Sequence, residues 1–420
     1  MATRLKRTLG LFETTLYGVG VILGAGIYAL IGKAAGLAGD AVWMSFAIGA
    51  FIAAFTGLSY AELGAMFPKA GGEYVFAEKA FNKRVAFLIG WLITIGGVIA
   101  AATVSLGFAG YFSALFNTPI IPVAIALIVV LSLLGFWGIR QSATAEIVAT
   151  IIEVIGLIAI IAFGIKYFGQ ANYTALPPVG FSGVLSATAL IFFAYLGFED
   201  IVRLSEETKN PKRTIPAALI LSIAISTVLY ILVAIAAVSV VGWKALAASE
   251  APLALVAQVA FGSKAFLFIA VTALCATFTT VLGVLIATAR MLYGMAEDGG
   301  LPKIIHSAVH KKFQTPWLAI LLTAVASCAF VLPGKIELVA SLTDFALFTT
   351  FVIVNLALLW LRYKQPKAER PFKTLWPLAV LGVIFSAVML LYFNKFIWLG
   401  GLAMIGSGLL VCELLRRTTK

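Results

Sequence analysis

Three features set chemical groups into stretches that are otherwise apolar. Residues 12–38, FETTLYGVGVILGAGIYALIGKAAGLA, form a run long enough to cross a bilayer, interrupted near its middle by Gly24-Ala25-Gly26. Each glycine weakens a helix by roughly 1 kcal/mol, and small residues let backbone come close to a bound molecule. In hydrocarbon, an interrupted helix is tolerated where it lines a cavity or is buried in protein. A half-helix starting at Gly26 aims free N–H groups and a positive dipole end into that cavity, which suits an anion such as a carboxylate. The competing reading is that the small residues serve tight helix packing. The second feature is an interruption half a chain later, in SATALIFFAYLGFEDIVRL, where Gly197 precedes Glu199 and Asp200. The third is Glu153, the only ionisable residue at mid-depth of the run 143–168.

Charges inside membrane spans are expensive and mark function. A carboxyl group withdrawn from water favours its neutral form, so Glu153 is read as a site that binds and releases a proton. With the hydroxyls of Thr279 and Thr280 and carbonyls near Val19 to Ile22, it would instead ligate Na+. A third reading is a permanently neutral acid hydrogen-bonded to a neighbouring helix. Gly24, Glu153, Tyr195 to Gly197 and Thr279-Thr280 fall at one depth, so they form one site if their helices meet. Glu199 and Asp200 either gate a path beyond the second break or cap its second half-helix, since acids are favoured at helix N-termini. Phe192, Phe193, Tyr195 and Phe198 either roof a pocket or are core and lipid-facing residues.

The elements that must hold these groups follow from composition. The chain is 62% hydrophobic and 11% charged, which no soluble domain of 420 residues matches. Its net charge of +12 does not point to nucleic acid, because the basic residues fall between apolar spans. Twelve spans are expected, at about 12–38, 42–67, 84–116, 119–138, 143–168, 182–207, 214–242, 262–295, 316–333, 337–362, 373–393 and 396–415. Of the 30 Lys and Arg residues, 24 fall on the side that holds both termini and 6 on the other, which puts the termini in the cytoplasm. The broken spans 1 and 6 then run in opposite directions and open two inverted five-helix sets. Interrupted helices at corresponding positions of inverted halves point to a transporter site at the membrane midplane. The basic start, Arg4, Lys6 and Arg7, precedes a run too long for a signal peptide. Loop 68–84, between spans 2 and 3, is polar and aromatic and is expected to lie along the cytoplasmic surface. His306 and His310 have metal-ligand spacing, but their Lys-rich surroundings read as a solvated loop. Cys275, Cys328 and Cys412 read as small packing residues. No Walker-type G-x-x-x-x-G-K-[ST], H-E-x-x-H or nucleophile-elbow pattern appears, which argues against ATP-driven transport and against an enzyme.

GVILGAGIY in span 1, FFAYLGFEDIVRLSEETKNPKRTIP through span 6 and its loop, and ARMLYGMAEDGGLP after span 8 resemble the amino acid–polyamine–organocation (APC) superfamily, in its cationic-amino-acid-transporter-like branch. The resemblance covers nearly the whole chain. It implies an all-α membrane protein of 12 transmembrane helices, with a leucine-transporter-like 5+5 inverted repeat and discontinuous helices 1 and 6. The repeats would occupy 1–168 and 182–362, and 373–420 would add helices 11 and 12 with the tail. It also implies that a substrate α-carboxylate meets the N–H groups of Ala25, Gly26 and Ile27, bordered by Ile22 and Gly24, and that the α-amino group meets carbonyls of Phe193, Ala194 and Leu196. The chain departs from the family in two places: relatives often have Ser or Thr at Ala25, and many carry Lys where this chain has Glu153.

The expected function is secondary active transport of L-amino acids across the cell membrane by alternating access, coupled to H+ with Na+ as the alternative ion. An exchanger, a polyamine carrier and, from another class, a channel or receptor are the rival readings. No other cofactor, metal, nucleic acid or partner subunit is expected; the partners are the amino acid and membrane lipids. No acid is evident in the pocket away from the break, which favours a neutral or broad substrate range.

Overall fold

The computed structural model describes residues 9–67, 72–138, 143–177, 179–297 and 299–418. Arg4, Lys6, Arg7, Lys69, Arg140 and Lys420, all used in the orientation argument, lie outside the described residues. Among those described there is no strand, only an isolated bridge between Leu9 and Thr208. Among the described residues, eight stretches are long and apolar enough to cross a membrane, and five shorter apolar helices accompany them.

The first run is two helices, α1 (Leu11–Leu23) and α2 (Gly26–Ala38), with Gly24 and Ala25 between them. α3 (Val42–Met66) follows, and α4 (Gly72–Ala80) is a short helix in the loop before α5 (Lys83–Phe116). α4 buries Glu73, Phe76 and Ala77, so it is packed into the bundle. Asn82 starts α5 by accepting the amides of Arg84 and Val85 at 2.9 and 3.1 Å, an N-cap that satisfies otherwise orphaned donors. α6 (Ile120–Phe136) and α7 (Ala143–Gly164) follow. The second apolar run is broken more widely than its sequence indicates: α8 (Phe181–Ile191) passes into a 3-10 turn at Phe192–Tyr195, and α9 (Phe198–Arg203) begins only after Leu196 and Gly197.

α10 (Pro211–Ala248) is kinked at Gly242, where the span read from sequence ends. α11 (Pro252–Phe261), which the sequence reading leaves as loop, connects to α12 (Ser263–Glu297). α13 (Lys303–Ser307) and α14 (Trp317–Val331) lead to α15 (Ile336–Lys364), and α16 (Trp376–Leu390) and α17 (Lys395–Thr418) close the chain. α13 ends before His310, so the two histidines do not share a helix face. His306 packs on Tyr293, and His310 on Phe136 and Phe313.

Lipid gives helices little hydrophobic reason to associate, so packing and polar contacts must hold them together. Small residues sit at the crossings accordingly: a Cβ at Gly18 would strike Ile201 and Ser222, one at Gly57 would strike Leu219, and one at Gly97 would strike Thr288. α7 shows how a helix divides between the two environments. Ile147, Ile151, Ile155 and Ile158 are exposed along one stripe, while Thr150, Glu153, Leu157 and Ile160 are buried along the other. The 3.6-residue period thus turns the isoleucines to lipid and Glu153 inward.

Two polar clusters mark the ends of the bundle. At one end Lys33 of α2 reaches Glu250 at 3.4 Å and Glu337 at 3.6 Å. At the other, Leu9 pairs with the Glu207–Lys209 backbone. There Glu62 of α3, fully buried, is held by Arg362, by Arg370 at 3.3 Å and by the Thr374 amide at 2.8 Å.

Candidate functional site

The two helix breaks face each other. A Cβ added to Gly26 would stand 2.6 Å from the Cα and 3.0 Å from the Cβ of Ala194. Only glycine permits backbone to approach this closely. Gly197, with φ +103°, occupies the left-handed region that L side chains avoid, and it allows the 3-10 turn to change direction into α9.

Tyr230 of α10 ties the breaks together: its hydroxyl lies 2.6 Å from the Ile22 carbonyl and 2.8 Å from that of Ala194. A hydroxyl has one proton, so the donor bond goes to one of the two carbonyls at a time. A third tie comes from α12. The Ala25 amide donates to Thr280 Oγ1 at 3.3 Å, while the Thr280 hydroxyl donates to the Ala276 carbonyl at 2.9 Å. The amides of Gly26 and Ile27 fall in the first turn of α2, where no preceding carbonyl of that helix reaches them; Ala25 provides no side-chain cap. The positive end of α2 therefore points at the junction.

Glu153 lies inside this group. It is 3% exposed, and it is close enough to act electrostatically on Tyr28, Tyr230 and Cys275. Its own carbonyl accepts the Tyr28 hydroxyl at 3.0 Å, and the Tyr28 carbonyl accepts the Tyr111 hydroxyl at 3.0 Å. These bonds lock α7, α2 and α5 together beside the first break.

The expected residues divide as follows. Ile22, Gly24, Ala25, Gly26 and Thr280 lie around the first break, with Ala194 against it. The Phe193 carbonyl already accepts the Leu196 amide at 3.4 Å and that of Ala194 accepts Tyr230; each keeps a second lone pair. Thr279 donates within its own helix, to Cys275 and Ala276 at 3.0 Å each. Glu199 Oε2 accepts the Gly197 amide at 3.0 Å, which is a capping contact; Asp200 is partly buried beside it. The aromatic group is core: Phe192, Tyr195 and Phe198 are fully buried and Phe193 is 6% exposed. Phe192 meets Phe348 at 4.7 Å between ring centroids, and Phe198 meets Tyr60 at 5.9 Å.

Sequence reasoning missed Tyr230 and Asp344. A tyrosine in an apolar span looks like an interfacial or core aromatic, and only the fold reveals that its hydroxyl bridges two breaks. Asp344 is fully buried on α15. It was legible as a charge inside the span 337–362, and the expectation that no acid is evident in the pocket away from the break did not weigh it. A cavity of about 460 Å³ opens near the Leu9 end, lined by Ala61, Gly64, Ser205, Asn210, Lys212 and Arg213 among others.

A protein-family model described as amino acid permease matches residues 9–410. The branched-chain amino acid permease BcaP of Bacillus subtilis (strain 168) is 31% identical, over 88% of this chain and 84% of its own length. The methylthioribose transporter of the same organism is 28% identical, over 98% and 94%. Cationic amino acid transporter 4 of Mus musculus is 30% identical, over 87% of this chain and 61% of its own length.

Proposed function

The chain belongs to the amino acid permease family, in the cationic-amino-acid-transporter-like branch of the APC superfamily, and from that premise we propose that it carries L-amino acids across the cell membrane by alternating access. It is a multi-pass membrane transporter and not an enzyme. The observation that carries the substrate reading is the contact of two interrupted helices at Gly26 and Ala194. A zwitterion needs an anion site and a cation site a few ångströms apart. The free amides at the start of α2 offer the first, and the carbonyls of Phe193, Ala194 and Leu196 offer the second. Main-chain groups recognise what all amino acids share, and the side chain is left to the surrounding wall.

We read the topology as twelve crossings in a 5+5 inverted repeat of the leucine-transporter type, over 1–168 and 182–362, with 373–420 added and both termini cytoplasmic. The Lys33–Glu250–Glu337 cluster would then close the outer side, and the 460 Å³ cavity would open to the cytoplasm. Glu153 is the proposed coupling group and H+ the proposed ion. The sodium alternative would use the hydroxyl oxygens of Thr279 and Thr280, which donate their protons to carbonyls of α12 and keep lone pairs for a cation. Glu199 serves α9 as a cap, and Asp200 remains the better gating candidate.

Relatives named for branched-chain amino acids, cationic amino acids and methylthioribose make the side-chain preference a matter for direct measurement. The test is binding of the twenty amino acids to the purified protein, with each ligand's decarboxylated amine as competitor. Amino acids should bind and their amines should compete weakly. Amines that bind as well as the parent amino acids would replace this reading with a polyamine carrier.

A further inference from the structure

Asp344 stands apart from the group just described. It lies on α15, roughly 10 Å along the helix axis from Glu337 by the rise of 1.5 Å per residue, and it is fully buried. Phe348 and Phe351, one and two turns further on, share its face of the helix. Both pack on Phe192, at 4.7 and 5.8 Å between ring centroids. Asp344 therefore looks onto the start of the 3-10 turn that breaks the second span. The Phe193 amide is directed at its carboxyl group. Neither carboxyl oxygen closes a hydrogen bond, and no Lys, Arg or His among the described residues acts on it.

Two of the other buried acids of the bundle have a reason for their place. Glu62 neutralises Arg362 and Arg370. Glu153 sits among Tyr28, Tyr230 and Cys275 at the first break. Asp344 has burial without a counter-charge, and a buried carboxylate is tolerated only when a cation or a proton neutralises it. The described residues supply no cation. The transported molecule, by its chemistry, supplies one.

We propose that Asp344 is the binding group for an ammonium carried by the transported molecule, set at the second break opposite the anion site of the first. The proposal rests on the transport reading above. A pocket that contains a carboxylate rejects a ligand lacking the matching donor, because the acid is then left buried and unpaired. Asp344 would thus set specificity for the charge of the substrate. Two ammonium groups qualify: the α-ammonium common to all amino acids, and the terminal ammonium of a lysine-like side chain. A merely structural role, as acceptor for the Phe193 amide, makes a different forecast. The substitution Asp344→Asn would keep an acceptor oxygen there and leave ligand preference unchanged.

The test compares binding of lysine, alanine and putrescine to the purified full-length wild type and to Asp344→Asn, with melting temperatures measured alongside. The expected result is a loss of tenfold or more in lysine affinity in a variant that still folds. Loss for lysine and putrescine with alanine unchanged assigns the side-chain ammonium. Loss for alanine as well assigns the α-ammonium. Equal affinities of wild type and variant for all three overturn the proposal. A wild type that binds putrescine but no amino acid faults the amino-acid reading alone, and the putrescine arm then decides Asp344. One that binds none of the three overturns both. Should Asp344→Asn fail to fold, the wild type gives a second readout. Dicyclohexylcarbodiimide, an apolar carboxyl reagent, should modify Asp344 by mass spectrometry, and saturating lysine should block it. Labelling of Asp344 that no ligand reduces overturns the proposal.

Discussion

Replacing Gly26 with alanine is the smallest perturbation that separates the two breaks. The added Cβ would lie 2.6 Å from Ala194 Cα, 3.0 Å from its Cβ and 3.1 Å from its N. Carbon atoms rest about 3.5–4.0 Å apart, so the two segments must part by roughly 1 Å. No flexible side chain can swing aside, because two of the three atoms are backbone. Overpacking of this kind costs about 1–3 kcal/mol. At 1.4 kcal/mol per factor of ten, the closed junction loses between about fivefold and a hundredfold in population. Affinity for a bound amino acid and the initial uptake rate should both fall by that order, and Gly26→Val should fall further. The control is Gly294→Ala on α12, where a Cβ meets nothing within 4 Å; it should bind and transport as the wild type does. Scintillation-proximity binding and proteoliposome uptake give the two quantities. A folded Gly26→Ala protein with wild-type affinity and rate would refute the claim that substrate binding depends on the Gly26–Ala194 approach.

Other outcomes follow from the same geometry. Glu153→Gln should keep substrate binding and exchange but lose accumulation driven by an imposed pH gradient; gradient-driven uptake equal to wild type would remove Glu153 from coupling. Tyr230→Phe leaves the carbonyls of Ile22 and Ala194 without their shared donor. It should lower stability by about 1–3 kcal/mol, seen as a lower melting temperature together with weaker binding. Glu62→Ala strands Arg362 and Arg370, whose side chains are 11% and 7% exposed. It should cost about 3–5 kcal/mol and reduce the folded yield, while Glu62→Ala with an unchanged melting curve would show the cluster to be dispensable.

Much of this arrangement was legible because membrane physics leaves few options. The break at Gly24–Gly26 could be read only in part from three small residues in an apolar run, because tight helix packing uses the same residues; the second interruption half a chain later favoured the break. The inward face of α7 was legible too, from Glu153 as the one mid-depth acid on a helix with isoleucines on its other face. What the sequence could not supply were contacts set by long-range packing. Tyr230 lies 208 and 36 residues from the two carbonyls it joins, and no local pattern encodes that. The sequence leaves Glu199 as gate or cap, and only the fold reveals that its carboxylate accepts the Gly197 amide at 3.0 Å. The width of the second break was also hidden, because Phe192–Tyr195 continues the apolar pattern of α8 while its backbone tightens into a 3-10 turn. Loop 243–261 concealed α11, whose ten residues are too few to register as a span.

The central claim is that this chain moves amino acids by a saturable carrier cycle. Counterflow tests it most directly. Purified protein is reconstituted into vesicles loaded with a millimolar unlabelled amino acid, chosen as the tightest binder, and a trace of the same labelled amino acid is added outside. A carrier gives a transient overshoot of internal label above equilibrium, saturating with external concentration and absent from unloaded or protein-free vesicles. Entry of label that never exceeds equilibrium, ignores internal loading and rises linearly with concentration would mean a channel-like path, and would contradict the account.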